Sequence, residues 1–340
     1  MANMTGASST RVYLVPSDLA GERVDRILSR LAPDLSRSAA QRLLKDGCVL
    51  LDGSVSRASE RPRAGQALLI RIPPPRGLDL APEQIPLDVI YEDGDLLVVN
   101  KPPDMVVHPA KGHQDGTLVN ALLAHCALPG VGESARPGIV HRLDQYTSGL
   151  LLVAKDEAAH QALTRQVEQR EVKRVYHALV WGRPQPEEAA ITTSFGRHPQ
   201  HRTMMAVLPP GKGRRAVTEY RQLQAYCWSW RERPDERPRG REAALLECVL
   251  QTGRTHQIRV HLAHLGCPIL ADPLYGDPVR DESGPESLRR LIAALPGQAL
   301  HAARLAFAHP RSGNRICLEA EPPAAFSAVL RWLRTNICHL

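Results

Sequence analysis

Arg142 and Asp144 stand two residues apart in His141-Arg142-Leu143-Asp144-Gln145-Tyr146-Thr147-Ser148-Gly149, a guanidinium and a carboxylate in a segment rich in turn formers. An aspartate ordinarily carries its charge at neutral pH, so Asp144 can attack a carbon or accept a proton. The neighbouring guanidinium can hold a polyanion. Taken alone, the pair is better explained by an aspartate that caps the next helix or turn. No Walker-type loop, no GxGxxG after a strand, no HExxH and no clustered Cys/His set occurs, which removes the usual signals for nucleotides, dinucleotides and zinc. The expected chemistry is therefore that of side chains alone, with no cofactor and no metal. A glycosidase would call for two cooperating carboxylates, and only Asp144 stands out.

The elements that must position such a pair follow from size and pattern. At 340 residues the chain exceeds one ordinary hydrophobic core, so a small module beside a larger one is expected. With 43% hydrophobic residues and no apolar run of about 18 residues, it reads as a soluble globular protein. The polar, small residues of 1–10 lack a secretory pattern and are expected to be a loose tail. The seven scattered cysteines, never in a CxxC pair, point to reduced thiols and a cytoplasmic location. A net charge of +7, with arginines crowded in residues 23–76, 165–174 and 231–259, favours a long polyanionic partner.

Residues 11–75 form a compact pattern: a strand at Val12–Val15, a helix over Val24–Leu31, a second helix opening at Ser36 and closed by Gly47, then a strand at Cys48–Leu51 with Asp52-Gly53 as a hairpin turn. Arg23, Arg26, Arg30, Arg37, Arg42 and Lys45 give the helices a basic face, either solvated or in contact with nucleic acid. Pro73-Pro74-Pro75-Arg76-Gly77 extends the backbone between the modules; the linker is taken as residues 76–84, with the boundary near residue 80. A larger domain over 85–325 and a C-terminal helix or tail over 326–340 complete the division. Within the larger domain, strands are expected at 87–91, 96–100, 150–154, 176–180, 216–223 and 243–250, and helices at 117–128 and 156–169. Without regular βαβ alternation, this is α+β with a mixed or antiparallel sheet. The alternation in Arg254-Thr255-His256-Gln257-Ile258-Arg259-Val260-His261-Leu262 reads as a strand, with Gln257 and Arg259 on one face and Ile258 and Val260 on the other. Trp228 to Arg241, rich in proline and arginine, reads as a loop between strands. Its arginines at 231, 233, 237, 239 and 241 either contact phosphate or form a solvated insertion.

Arg23 to Gly53 resembles the S4 RNA-binding domain. Asn100-Lys101-Pro102-Pro103-Asp104-Met105-Val106-Val107-His108-Pro109, the segment around Asp144, Lys173-Arg174-Val175-Tyr176 and Thr252 to Leu262 occur in the order and spacing of the RluA-type pseudouridine synthases, a resemblance that spans residue 11 to about 322. Val106 to Pro109, Gly116 to Leu123 and Arg197-His198-Pro199 with Arg202 to Val207 are most similar to the large-subunit pseudouridine synthase D type within that family. The resemblance implies an isomerase that turns uridine into pseudouridine in large-subunit rRNA or a ribosomal precursor particle, in the helix 69 stem-loop. It implies a small S4-like module plus a large catalytic domain, and a monomer.

By the same resemblance Asp144 is the catalytic aspartate and Arg142 enters the helix where the nucleotide has swung out. Tyr176 lies against the flipped base, and Arg259 pairs with Asp144, favouring its charged form and fixing its rotamer. Arg254 is expected as a phosphate contact or structural support, and Lys101 as an RNA contact or part of the pocket rim. Arg23, Arg37, Arg42 and Lys45 are expected RNA contacts of the S4-like module. His256, His261 and His264 are not expected to bind a metal. Two departures stand out: Asp104 sits where many relatives have glycine, and the arginine-rich loop is long. A non-catalytic RNA-binding protein and an S4-containing methyltransferase are the competing readings. The first has no need of Asp144, and the second would need a glycine-rich loop after a strand.

Overall fold

The computed structural model describes residues 9–32, 37–72, 80–109, 115–129, 137–201, 203–231 and 239–336. The chain separates into two compact units, Met1–Leu78 and Asp79–Leu340. The proline run expected as a linker, and Ser36, lie outside the described residues.

The first unit runs β1 (Ser9–Leu14), α1 (Val24–Leu31), α2 (Arg37–Lys45), β2 (Val49–Leu51), β3 (Ser54–Val55) and β4 (Ala67–Ile72), with an antiparallel sheet ordered β1-β4-β2-β3. Val24, Ile27 and Leu28 on α1 and Ala40, Leu43 and Leu44 on α2 recur at helical spacing and bury against Leu68 and Ile70 of β4. Asp52 and Gly53, at φ 45° and 85°, form the tight turn between β2 and β3 that their types favour.

The second unit contains β5 (Val89–Glu92), β6 (Leu96–Lys101), α3 (Leu118–His125), β7 (Ser148–Ala154), α4 (Glu157–Gln169), β8 (Lys173–Trp181), β9 (Glu188–Arg197), β10 (Met205–Leu208), β11 (Arg214–Trp230), β12 (Arg239–Leu250), α5 (Gln257–His264), α6 (Pro278–Asp281), α7 (Glu286–Ala293), β13 (Leu300–Ala308), β14 (Arg315–Glu319) and α8 (Ala324–Thr335). Its ten-stranded sheet is ordered β10-β9-β11-β12-β8-β13-β7-β6-β5, with β14 on β13. The pairings are antiparallel except β13 with β7, which makes the sheet mixed.

Both faces of the central strands are covered, which explains their continuous apolar runs. Leu97 and Val99 of β6 and Leu151 and Val153 of β7 face one core. Leu96, Val98, Leu150, Leu152 and Ala154 face another, beneath α4. Where β7 meets β13 the backbones come so close that a side chain at Gly149 (φ 110°) would strike the Ala302 backbone at 2.3 Å. Glycine is required there, five residues after Asp144.

Three sequence expectations change. The segment 257–264 is helix α5, not a strand. Its apolar alternation misleads because Gln257, Ile258, Arg259, Val260, His261 and Leu262 are all buried, each against its own partner. The stretch from Trp228 is not all loop: Trp228, Ser229 and Trp230 end β11 and pair with Arg241, Gly240 and Arg239 of β12. Residues 232–238 lie outside the described residues. Helix α8 is part of the large core, through Phe326, Val329 and Leu333, so that domain continues past residue 325. Trp228 meets Trp181 at 6.1 Å and Trp332 of α8 at 5.7 Å, which joins the hairpin, the sheet centre and the C-terminal helix.

Buried histidines serve as neutral struts. The Nε2–H of His301 donates to the Ala320 carbonyl while Nδ1 accepts from the Ser148 hydroxyl. His261 joins Thr218 and Thr193. His141 accepts from the Leu152 amide. Burial pushes His261 and His301 down to about 4; burial, then the charge of Arg174, pushes His141 down to about 3. Below pH 6.5 the unfolded chain therefore binds protons that the fold refuses, so this stability is complete above pH 6.5 and is lost as pH falls towards 4. Urea unfolding at pH 5 against pH 7 is expected to show a loss of about 2 kcal/mol for each ring, and His301→Gln should remove one such increment from the difference. An identical pH response in that variant would contradict the account.

Candidate active site

The segment entering β7 is pinned at nearly every residue. His141 caps the Leu152 amide, and Leu143 is buried. The Gln145 carbonyl accepts from Lys101, and Gln145 Nε2 donates to Asp104. Tyr146 packs so tightly against Gly297 that a Cβ there would lie 2.4 Å from its ring. Thr147 accepts from Gln298, and Ser148 joins His301. Arg142 has no hydrogen-bond or ion-pair partner among the described residues and is exposed. Asp144 points to one partner, Arg259.

That partner is held from behind. Arg259, 4% exposed, donates from Nε and Nη2 to the two carboxylate oxygens of Asp272 at 2.7 and 2.8 Å, and from Nη1 to Asp144 Oδ2 at 3.1 Å. The Asp272 side chain is completely buried and also accepts from the amides of Leu274 and Tyr275. Burial alone would lower the Arg259 pKa, but Asp272 and then Asp144 outweigh it and hold the guanidinium above its usual range. Tyr275 lies under the guanidinium, 5.1 Å from its ring centre, and its hydroxyl joins the Met205 amide and His256. Helix geometry makes this possible: Gln257 and His261, four apart, turn towards β11, where both meet Thr218, while Arg259 emerges on the opposite side towards Asp144.

Three cavities share Arg142 and Asp144 in their walls. One, of about 40 Å³, adds Tyr176, Leu250, Leu300 and Arg259. A second, of about 350 Å³, adds Val106, Val107, His108, His256 and Leu274. A third, of about 480 Å³, adds Arg170, Arg174 and Arg254. Tyr176 belongs to β8 near the sheet centre, is 4% exposed, and has its pKa raised by burial. His256 lies at φ 58° before α5, and burial lowers its pKa against the pull of Asp144.

Of the two roles expected for Lys101, an RNA contact and a part in the pocket rim, the structure closes the first. Lys101 is 1% exposed and donates to the carbonyls of Pro102, Met105 and Gln145, so its ammonium faces no solvent and no RNA contact is open to it. Burial pushes it down to about 7, with Asp144 and Asp104 pulling the other way. It supports the pocket wall instead. Asp104 has φ 64°, the left-handed region that explains a glycine in relatives, and an aspartate tolerates it. Its bond to Gln145 brings this departure next to the proposed catalytic group. In the first unit Arg23 is paired with the buried Asp25 at 2.9 Å, and Lys45 is exposed. Arg37 and Arg42 lie on α2. Arg241 is used internally, on Ser283 and over the Trp230 ring.

Asp272 and Tyr275 escaped the sequence reading; Asp272-Pro273-Leu274-Tyr275-Gly276 resembles an ordinary turn, and nothing local ties it to Arg259. None of the described cysteines is in a disulfide. Among the described residues one group, Asp93, Asp95 and His309, brings metal-ligating atoms together. Tyr91 and Arg311 already occupy those carboxylates, which reads as a staple of the β5–β6 turn. No helix among the described residues is long and apolar enough to cross a membrane.

The RNA pseudouridylate synthase family matches residues 95–264, and the S4 domain matches residues 22–68. An uncharacterized RNA pseudouridine synthase of Chloroflexus aurantiacus is 47% identical over 95% of this chain and 94% of its own length. Ribosomal large subunit pseudouridine synthase D of Neisseria meningitidis serogroup B is 41% identical over 94% of this chain and 81% of its own. The solved structure of human RNA pseudouridylate synthase domain containing 1 superposes with a TM-score of 0.52 at 25% identity, over 71% of this chain and 85% of that one. The chain therefore belongs to the RNA pseudouridine synthase family, whose members are isomerases, and carries an S4 domain ahead of the catalytic one.

Proposed function

We propose that this enzyme isomerises uridines of large-subunit rRNA, in the helix 69 stem-loop, with Asp144 as the reacting carboxylate. The observation that carries the chemistry is the contrast within the segment entering β7. Its neighbours are committed to packing and backbone contacts, whereas Asp144 is aimed into a cavity by a buried arginine and Arg142 is exposed, with no partner among the described residues. The rRNA target rests on similarity to proteins named ribosomal large subunit pseudouridine synthase D in Neisseria meningitidis and Zymomonas mobilis.

The reaction breaks the bond from N1 to C1′, turns the uracil, and joins C5 to C1′; the hydrogen leaving C5 is balanced by one gained at N1. No atom is added overall, which suits a site built from side chains. Asp144 acts on the ribose as the base departs, by bonding to it or by moving a proton. Arg142 takes the place of the swung-out nucleotide and offsets part of the few kcal/mol that unstacking costs. Tyr176 lies against the base, and Arg259 orients Asp144. Arg254 and the exposed Lys45 of the S4 domain, with Arg37 and Arg42 of the same helix, hold the RNA. The enzyme works as a cytoplasmic monomer on rRNA or a ribosomal precursor.

Asp144→Asn is expected to abolish pseudouridine formation in a helix 69 transcript while RNA affinity stays within about threefold. Normal turnover in that variant would remove Asp144 from its role. Pseudouridine mapping in cells lacking the protein should show the helix 69 sites unmodified; sites unchanged there would redirect the search for the target.

Asp272→Asn leaves a buried guanidinium with one full countercharge instead of two. Stability should fall by about 3 kcal/mol in urea unfolding. Single-turnover rate should fall at least tenfold, with RNA affinity unchanged, because Asp144 loses its fixed orientation. A variant with the normal rate would show that Arg259 does not need its rear support.

A further inference from the structure

The third cavity next to Asp144 has an electrostatic imbalance. Arg142, Arg170, Arg174 and Arg254 line it, against one exposed acid, Glu168, and the edge of Asp144. None of the four guanidinium groups has a hydrogen-bond acceptor or an ion-pair carboxylate among the described residues. Arg174 is 7% exposed, and its Nε and that of Arg254 are buried without a partner. A buried cation with no countercharge is costly unless something outside the chain supplies one. The backbone makes room for it: a Cβ on Gly253 would meet Arg174 Nη1 at 3.1 Å, so the absence of a side chain lets the guanidinium lie against the Thr252-Gly253-Arg254 turn.

We infer that this cavity is a phosphodiester subsite, in which Arg174 and Arg254 grip the RNA backbone beside the nucleotide presented to Asp144. The inference rests on the proposed RNA substrate and deepens it. At about 480 Å³ the cavity has room for a phosphate with part of its sugar, and it shares Arg142, Asp144, Leu250 and Arg254 with the small pocket that contains Tyr176. A strand whose target base enters that pocket therefore has a flanking phosphate within reach of both arginines. Planar guanidinium groups suit phosphate oxygens, and Arg174, already buried, loses little freedom on binding.

Two readings test the subsite in the full-length enzyme. Inorganic phosphate, compared with chloride at equal ionic strength, should raise the thermal unfolding temperature of the wild type and do so much less in Arg174→Gln and Arg254→Gln. For a stem-loop RNA, each substitution should weaken binding about tenfold at moderate salt and lower the slope of log affinity against log salt by about one. An equal phosphate response in all three proteins, or unchanged slopes, would overturn the subsite. Should Arg174→Gln fail to fold, Arg254→Gln, at a partly exposed position, gives both readings. The two proposals fail separately. An enzyme that modifies helix 69 with unchanged slopes loses only the subsite, whereas one that ignores helix 69 but keeps the phosphate response and the slope change loses only the target.

Discussion

The contact between Arg259 and its two carboxylates is the constraint on which the rest of the site depends. Asp272 takes two of the donor groups and leaves the third directed at Asp144, so one side chain converts a buried anchor into an orientation. Buried charge pairs of this kind contribute little net stability compared with apolar packing. What they provide is geometry, since losing either partner leaves a charge stranded in the interior. The tethering of Asp272 by two backbone amides and of Tyr275 by Met205 makes the anchor itself rigid.

The sheet supplies the opposite wall. Asp144 reaches the site through a loop that must enter β7 at the one point where β7 and β13 run parallel and nearly touch, across Gly149. Ser148 and His301 fix the register on that side, and Lys101 holds Gln145 from the neighbouring strand β6. The carboxylate is thus triangulated by α5, β13 and β6, elements more than a hundred residues apart in places. Its position is a property of the whole core, not of the turn that carries it.

This explains which parts were legible in the sequence. The helices and hairpin of residues 11–75 could be read because their apolar spacing, Gly47 and Asp52-Gly53 are local signals. The central strands could be read because β-rich apolar runs have few alternatives. Helix α5 could not: its residues are buried on every side, so period carried no information, and the polar members Gln257, Arg259 and His261 are buried for hydrogen bonding. Strand β13, alanine-rich over Leu300–Ala308, gives a similarly weak signal. Arg142 and Asp144 stand out by residue type and spacing, and with Tyr176 and Arg259 take their expected roles from the resemblance, whereas Asp272 is visible only once the fold brings residues 259 and 272 together.

Lys101 shows the same limit from the other side. A lysine before two prolines suggests a solvated turn, yet three carbonyls in an apolar wall use all three of its donors. One of those carbonyls belongs to Gln145, whose side chain is tied to Asp104 in a left-handed turn. A glycine at 104 would adopt that turn without strain but could not hold Gln145. The aspartate accepts some strain and gives a side-chain tether to the residue next to Asp144. A substitution distant in sequence therefore stiffens the loop that carries Asp144, the proposed reacting carboxylate.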